Sequence, residues 1–257
     1  MTKPKRWTQF IEQEQRKPYY QDIINEVYDK GYLADKPIYP AYDNVFRAFA
    51  VTPLNHVRLV ILGQDPYPNK NANGLAFGTG GVRQLPPSLR NIYKELERSY
   101  PDRDFDTMQG ELTGWAKQGI LLLNTSLTIE EGRSHEELWR PFILEVIRAL
   151  RGSTFLLLGK KAQKLFRDAG GEGDVVAAPH PSPLTRGFVG SNCFIETERL
   201  VGKILWERTE SESQERLLNI DPFYRRLDEP SKSDIHRRGN GELNSLNTED
   251  CNLFIYS

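Results

Sequence analysis

A chain of 257 residues, 38% apolar and 27% charged, has the composition of a soluble protein that can bury one α/β core, with or without a tail; it has no run near the ~20 apolar residues of a membrane helix. The net charge of −1 hides an asymmetry: residues 207–257 carry 7 basic against 11 acidic side chains, leaving a mildly basic body of 27 against 24, which is compatible with a nucleic-acid partner without demanding one. Two cysteines, Cys193 and Cys251, and four scattered histidines, His56, His135, His180 and His236, exclude a four-cysteine zinc site or Cys-ligated iron–sulfur cluster, so no metal or other cofactor is expected.

Residues 7–30 read as helical. Trp7, Phe10 and Ile11 share one face, and Tyr20, Ile23, Ile24, Val27 and Tyr28 recur at helical spacing, with Pro18 placed to start the second helix and Gly31 to cap it. Residues 35–43 read as loop and 44–50 as a short helix. The run Val57, Leu59, Val60, Ile61, Leu62 reads as a buried strand. It breaks at Gly63 into Gln64-Asp65-Pro66-Tyr67-Pro68, a polar turn stiffened by two prolines. After the Gly80-Gly81 loop comes Leu85-Pro86-Pro87-Ser88. Ser88 is expected to cap a helix with the face Leu89, Ile92, Tyr93, Leu96 and Tyr100, and such a terminus presents N–H groups to an anion.

A second buried strand, 119–123, ends in Asn124-Thr125-Ser126. A helix with the face Phe142, Ile143, Val146, Ile147 and Leu150 follows, closed by Gly152. A third apolar run, 154–158, ends at Gly159 and Lys160-Lys161. A fourth, 175–178, ends in Pro179-His180-Pro181-Ser182-Pro183-Leu184, which locks His180 into a rigid extended loop. Phe194, Glu198, Val201 and Leu205 form the last helical face.

Four apolar runs alternating with helices imply a mostly parallel sheet covered on both faces. That topology brings Asp65, Asn124, Lys160 and His180 to one edge, the carboxyl edge at which open α/β sheets hold ligands. A functional site is expected there.

Gly63-Gln64-Asp65-Pro66-Tyr67, Gly74-Leu75-Ala76-Phe77, Leu121-Leu122-Leu123-Asn124 and His180-Pro181-Ser182-Pro183-Leu184 occur in the order and spacing of the family-1 uracil-DNA glycosylases. Pro86 to Leu96 and Gly114 to Gly119 are similar too, and the chain resembles that family from about Trp7 to Trp206. The resemblance implies a single α/β domain (1–206) with a central four-stranded, mostly parallel sheet flanked by helices, acting as a monomer on uracil-containing DNA, single- or double-stranded. It implies hydrolysis of the N-glycosidic bond. Asp65 would orient water and stabilise the oxocarbenium-like sugar, and His180 would donate to uracil O2. Asn124 would pair with N3–H and O4, Phe77 would stack on the base, Tyr67 would exclude thymine's methyl, and Gln64 would line the pocket. Leu184 would enter the vacated base stack. Pro86, Pro87, Ser88, Lys160, Ser182 and Arg186 would meet the DNA backbone.

The chain departs from many relatives at three places. Pro68 stands where they carry His, Leu158-Gly159-Lys160 stands where they carry Trp-Gly-Ser, and Thr185 stands where Ser is frequent. In place of the serine, Lys160 or Lys161 would supply a charged phosphate contact, with a steeper salt dependence.

Residues 207–257 fall outside the resemblance and read as an acidic extension, disordered or loosely docked, with two apolar islands at 222–224 and 253–256. That tail is the expected attachment point for a replication protein; a proteinaceous uracil-glycosylase inhibitor is a second expected partner. The opening MTKPKRWTQF lacks the apolar stretch of a signal peptide, so an intracellular location is expected. A DNA-binding scaffold or polymerase accessory subunit on the same fold is the competing reading, and intact Asp65, Asn124 and His180 weigh against a purely structural role.

Overall fold

A computed structural model describes residues 6–80, 84–105, 107 and 110–207. The extension after Glu207, with its two apolar islands and Cys251, lies outside the described residues, as does Gly81.

The helical N-terminal region divides at the expected proline. Helix α1 spans Trp7–Gln15 and α2 spans Pro18–Ile23 with Pro18 at its first turn, where a missing N–H costs nothing. A π-helical turn, Ile24–Asp29, follows. Gly31 does not act as a left-handed cap. Lys30 closes the turn, and Gly31 is needed for space, since a Cβ there would meet the Val27 carbonyl oxygen at 2.1 Å.

The expected loop at 35–43 contains a two-residue strand, β1 (Ile38–Tyr39), and the short helix α3 runs from Arg47 to Val51. Strand β2 is Leu59–Gly63. Helix α4, Pro87–Ser99, starts two residues earlier than expected. Pro86 is its N-cap and Pro87 its first residue, because a ring fixed at helical φ is pre-set for that position, so Ser88 lies inside the first turn and caps nothing. A short helix α5, Thr113–Ala116, leads into β3, Ile120–Asn124. Then come β4 (Ile129–Glu130), β5 (Arg133–Ser134), α6 (Glu136–Ala149), β6 (Thr154–Leu158), α7 (Lys160–Asp168), β7 (Val175–Ala178) and α8 (Cys193–Val201). Leu205 lies beyond the end of α8.

The four apolar runs form one parallel sheet in the order β3-β2-β6-β7. Every residue of β2, β3 and β6 is buried, which is why these strands read as continuous apolar runs rather than alternating ones. Strands β3 and β7 are the two edges, and of these β7 is open to solvent, its Val175 42% exposed. Helices α3 and α5 pack near β3, and α7 and α8 near β6. Strands β1, β4 and β5 form a separate antiparallel ribbon.

Aromatic side chains fill the core on edge-to-face contacts, notably Trp7, Phe10, Phe49, Trp139 and Phe142. The body is closed by Trp206, fully buried against Trp115 and Phe194. Trp115 Nε1 donates to the Trp206 carbonyl at 2.8 Å.

Candidate active site

Parallel pairing sets Gly63, the last residue of β2, opposite Asn124, the last residue of β3. A Cβ on Gly63 would meet Asn124 Oδ1 at 2.6 Å, Ala76 Cβ at 3.1 Å and Phe77 Cε2 at 3.3 Å. The absent side chain is therefore what lets the amide and the ring close over the strand end. Beyond Gly63 the turn is fastened to β3's end: the Gln64 carbonyl accepts from Ser126 N–H and from Thr125 Oγ1, each at 3.0 Å.

Asp65 stands at the lip of this pocket. Gln64 Nε2 donates to its Oδ2 at 2.9 Å, and Ser134 Oγ donates to its Oδ1. Tyr67 turns inward, and its hydroxyl donates to the Phe77 carbonyl at 3.2 Å. Burial pushes that phenol well above its ordinary range. Tyr67 and Phe77 thus form one wall.

Phe77 adopts φ +63°, a left-handed conformation unusual for an aromatic residue. Its surroundings impose it. Ala76 N–H donates to the Leu122 carbonyl of β3 at 3.0 Å, and Gly78 N–H closes a turn on the Leu75 carbonyl at 3.0 Å. Upstream, Arg47 donates to the Asn73 carbonyl and to Thr113 Oγ1, each at 2.9 Å, and pairs with Glu111. Asn73 donates to Glu111 at 3.1 Å and accepts from Leu75 N–H at 3.1 Å. This half-buried network holds the segment that carries Phe77.

His180 comes from the loop after β7. Its ring lies 6.0 Å from that of Phe77, centroid to centroid. Gly159, with φ +97°, lets it approach, since a Cβ there would stand 2.9 Å from His180 Cβ. Ser182 N–H donates to Nδ1 at 3.1 Å. The neutral ring therefore carries its proton on Nε2, leaving a donor for a ligand. Burial pulls the imidazole below its ordinary pKa and so favours that neutral form.

Tyr67 and His180 both meet Phe77, Asn124 and Phe77 both close on Gly63, and Asp65 and Gln64 stand at the same strand end. The residues expected to meet DNA lie on two neighbouring segments. Pro86, Pro87 and Ser88 form the start of α4. Ser182, Leu184 and Arg186 lie on the His180 loop, where Leu184 is 96% exposed and Arg186 is exposed. Asn91 of α4 ties the two together by donating to the Pro181 carbonyl at 2.8 Å. Lys160 is exposed at the first residue of α7. Its neighbour Lys161 is engaged with Glu136 at 2.7 Å, and that hydrogen bond raises its pKa. Among the described residues no group of three or more His, Cys, Asp or Glu side chains could hold a metal ion, and no helix is long and apolar enough to cross a membrane.

Sequence reasoning missed Ser134, Asn91 and the Arg47 network. Each acts across a long sequence separation, and although Asn91 lies within the Pro86 to Leu96 stretch, nothing local marks its partner.

A carboxylate, a carboxamide, an aromatic ring and a neutral imidazole gathered at the carboxyl ends of a parallel sheet form an α/β site with the chemistry to hold a flat heterocycle by its polar edge. Known proteins give that class its family. Residues 49–200 match the model of the uracil DNA glycosylase superfamily. The chain is 44% identical over 215 residues to a uracil-DNA glycosylase of Proteus mirabilis, covering 79% of this chain and 94% of that protein. It is 42% identical over 210 residues to one of Aliivibrio salmonicida, covering 76% and 91%. Among solved structures, mimivirus uracil-DNA glycosylase superposes with a TM-score of 0.62 at 25% identity, covering 69% of this chain and 68% of that one. A mimivirus UNG variant in complex with UGI gives 0.63 at 26% identity, covering 72% of each. The chain belongs to the uracil-DNA glycosylase superfamily.

Proposed function

We propose that this protein is a DNA-repair hydrolase that flips uracil out of DNA and cleaves its N-glycosidic bond, leaving an abasic site. The observation that carries the proposal is the convergence of Asn124, Phe77, Tyr67, His180 and Asp65 at the carboxyl ends of β2, β3 and β7. A target inside duplex DNA is unreachable until the nucleotide leaves the stack. Leu184, apolar and projecting into solvent, fills the vacated space.

Once in the pocket, the base stacks on Phe77. Asn124 presents an acceptor to N3–H and a donor to O4; cytosine offers the reverse pattern and leaves the buried amide unpaired. Tyr67, braced against the Phe77 backbone, occupies the space a 5-methyl group needs. Bond cleavage leaves positive charge on the sugar and negative charge on the base. Asp65 faces the first and directs the attacking water. His180 faces the second, its Nε2–H bonding O2 as charge develops. A preorganised donor of this type contributes about 3 kcal/mol to the transition state.

Residues 1–206 form the catalytic domain in this reading, consistent with Trp206 closing the core, and 207–257 are an acidic extension that docks a replication protein. The UGI complex of a mimivirus relative supports a proteinaceous inhibitor as a second partner.

The test is uracil release from a single-uracil oligonucleotide, with wild type beside Asp65→Asn and a thymine oligonucleotide as control. The expected result is release by wild type, a loss of at least about 100-fold in the variant, and no release of thymine. Wild-type protein that binds the DNA and releases nothing would instead establish the scaffold reading.

A further inference from the structure

We infer that Ser134, on the β4–β5 ribbon, is a positioning residue that fixes the Asp65 carboxylate for attack; this rests on the reading of Asp65 given above. Ser134 lies 69 positions along the chain from Asp65 and outside the parallel sheet, yet its Oγ donates to Asp65 Oδ1. The direction of that bond follows from a second contact. The backbone N–H of Glu136, at the start of α6, donates to Ser134 Oγ at 3.1 Å. A hydroxyl has one proton to give. With Glu136 N–H occupying a lone pair, the proton is free to point at the carboxylate.

The other carboxylate oxygen is held from the opposite side by Gln64 at 2.9 Å. Two oxygens held by two donors from separate elements define the plane of the carboxylate, which a one-point contact leaves free to rotate about its last torsion. The position matters because the turn offers little else. Pro68, exposed in the same turn, brings no polar side-chain group. The ribbon is itself pinned. Strand β4 pairs with both β1 and β5, and Glu130 with Arg133 closes its turn at 2.6 Å. Ser134 thus transmits the rigidity of a small separate sheet to one carboxylate on the main one.

Ser134 bonds Asp65 and the Glu136 N–H, so its part is played through the carboxylate. It acts on the chemical step and not on recruitment of DNA. Its removal misdirects the carboxylate without opening a cavity, because the side chain is exposed. The experiment measures kcat and KM of the full chain on a single-uracil oligonucleotide for wild type, Ser134→Ala and Ser134→Thr. The expected result is a fall in kcat of about tenfold in S134A with KM within about twofold, and recovery of most of kcat in S134T, which restores the hydroxyl. An S134A variant with wild-type kcat would overturn the inference. So would S134T as impaired as S134A, which would show a need for small size rather than a hydroxyl. Wild type and Asp65→Asn measured in the same series separate these outcomes from failure of the underlying reading, since that failure leaves wild type inactive or Asp65→Asn unimpaired.

Discussion

At the scale of single residues, His180 gives the most direct link between environment and chemistry. Ser182 N–H occupies Nδ1, and burial holds the ring below its ordinary value of 6.5. The folded state therefore resists protonating a ring that the unfolded chain protonates freely. Below about pH 6.5 the unfolded state binds more protons, so the stability tied to the neutral ring is present above that pH and lost as pH falls through the folded value. His180→Gln removes this linkage. Between about pH 7.5 and about pH 5 its melting temperature should decline less steeply than that of wild type, read by circular dichroism. The decline should persist in part, because His135 is also buried and also lowered, chiefly by desolvation. The same variant should lose about 100- to 1,000-fold in kcat at neutral pH, the usual consequence of deleting one preorganised donor to a developing anion. A variant with a flattened pH–stability curve but unchanged kcat would break the link between this ring and the reaction.

At the scale of elements, the ends of β6 and β7 decide where His180 sits, and glycine decides the end of β6. Gly159 combines φ +97° with a Cβ position only 2.9 Å from His180 Cβ. Gly159→Ala therefore meets two penalties, backbone strain and collision with the imidazole's own Cβ. Gly152 separates them, since it has φ +89° and open space around its Cβ position. Both alanine variants should lose stability, about 1 kcal/mol or somewhat more. G159A alone should lose kcat, by about tenfold or more, through displacement of the imidazole. Parallel denaturant melts and uracil-release rates make the comparison, and equal kcat losses in the two variants would refute it. The same elements show what the sequence makes legible. Strands β2, β3 and β6 are visible because burial of every residue writes a continuous apolar run ended by a polar motif, and the largely exposed β7 is visible from its short Val-Val-Ala-Ala run and the prolines that end it. Asp65, Asn124 and His180 stand out at those ends. Strands β1, β4 and β5, with two residues each, are too short to carry any period. Ser134 belongs to one of them, so its meeting with Asp65 exists only once the chain is folded. The left-handed Phe77 was equally hidden, because an aromatic side chain gives no local reason to adopt φ +63°. Its conformation follows from the Arg47–Glu111–Asn73 network and the bond to β3.

At the scale of the whole molecule, the pocket and the surface around it act as one rigid face. The loop that carries His180 and Leu184 is anchored at both ends. Near its start, Asn91 of α4 holds the Pro181 carbonyl at 2.8 Å. Past its tip, the fully buried carboxylate of Glu95, also on α4, accepts from Gly190 N–H at 2.6 Å and Asn192 N–H at 2.8 Å. Arg98 pairs with Glu95 at 2.8 Å and supplies the counter-charge a buried carboxylate needs. Within the loop, Leu184 N–H bonds Ser182 Oγ at 3.3 Å and Thr185 N–H bonds the Ser182 carbonyl at 2.9 Å, so the turn presenting Leu184 is preformed. An apolar side chain held 96% exposed on a braced turn gains nothing from solvent. In the proposed function it occupies the space that a flipped base leaves, and only a duplex has that space to fill. Leu184→Ala should therefore discriminate between substrates. Uracil release from duplex DNA should fall about tenfold, while release from a single strand, where no stack must be replaced, should change by less than about twofold. Because the side chain is exposed, the melting temperature should not move, which separates a lost contact with DNA from a damaged fold. An equal loss on both strand types would assign Leu184 to general DNA contact instead. No change on either would take it out of the flipping step, leaving extrusion to the pocket side chains alone.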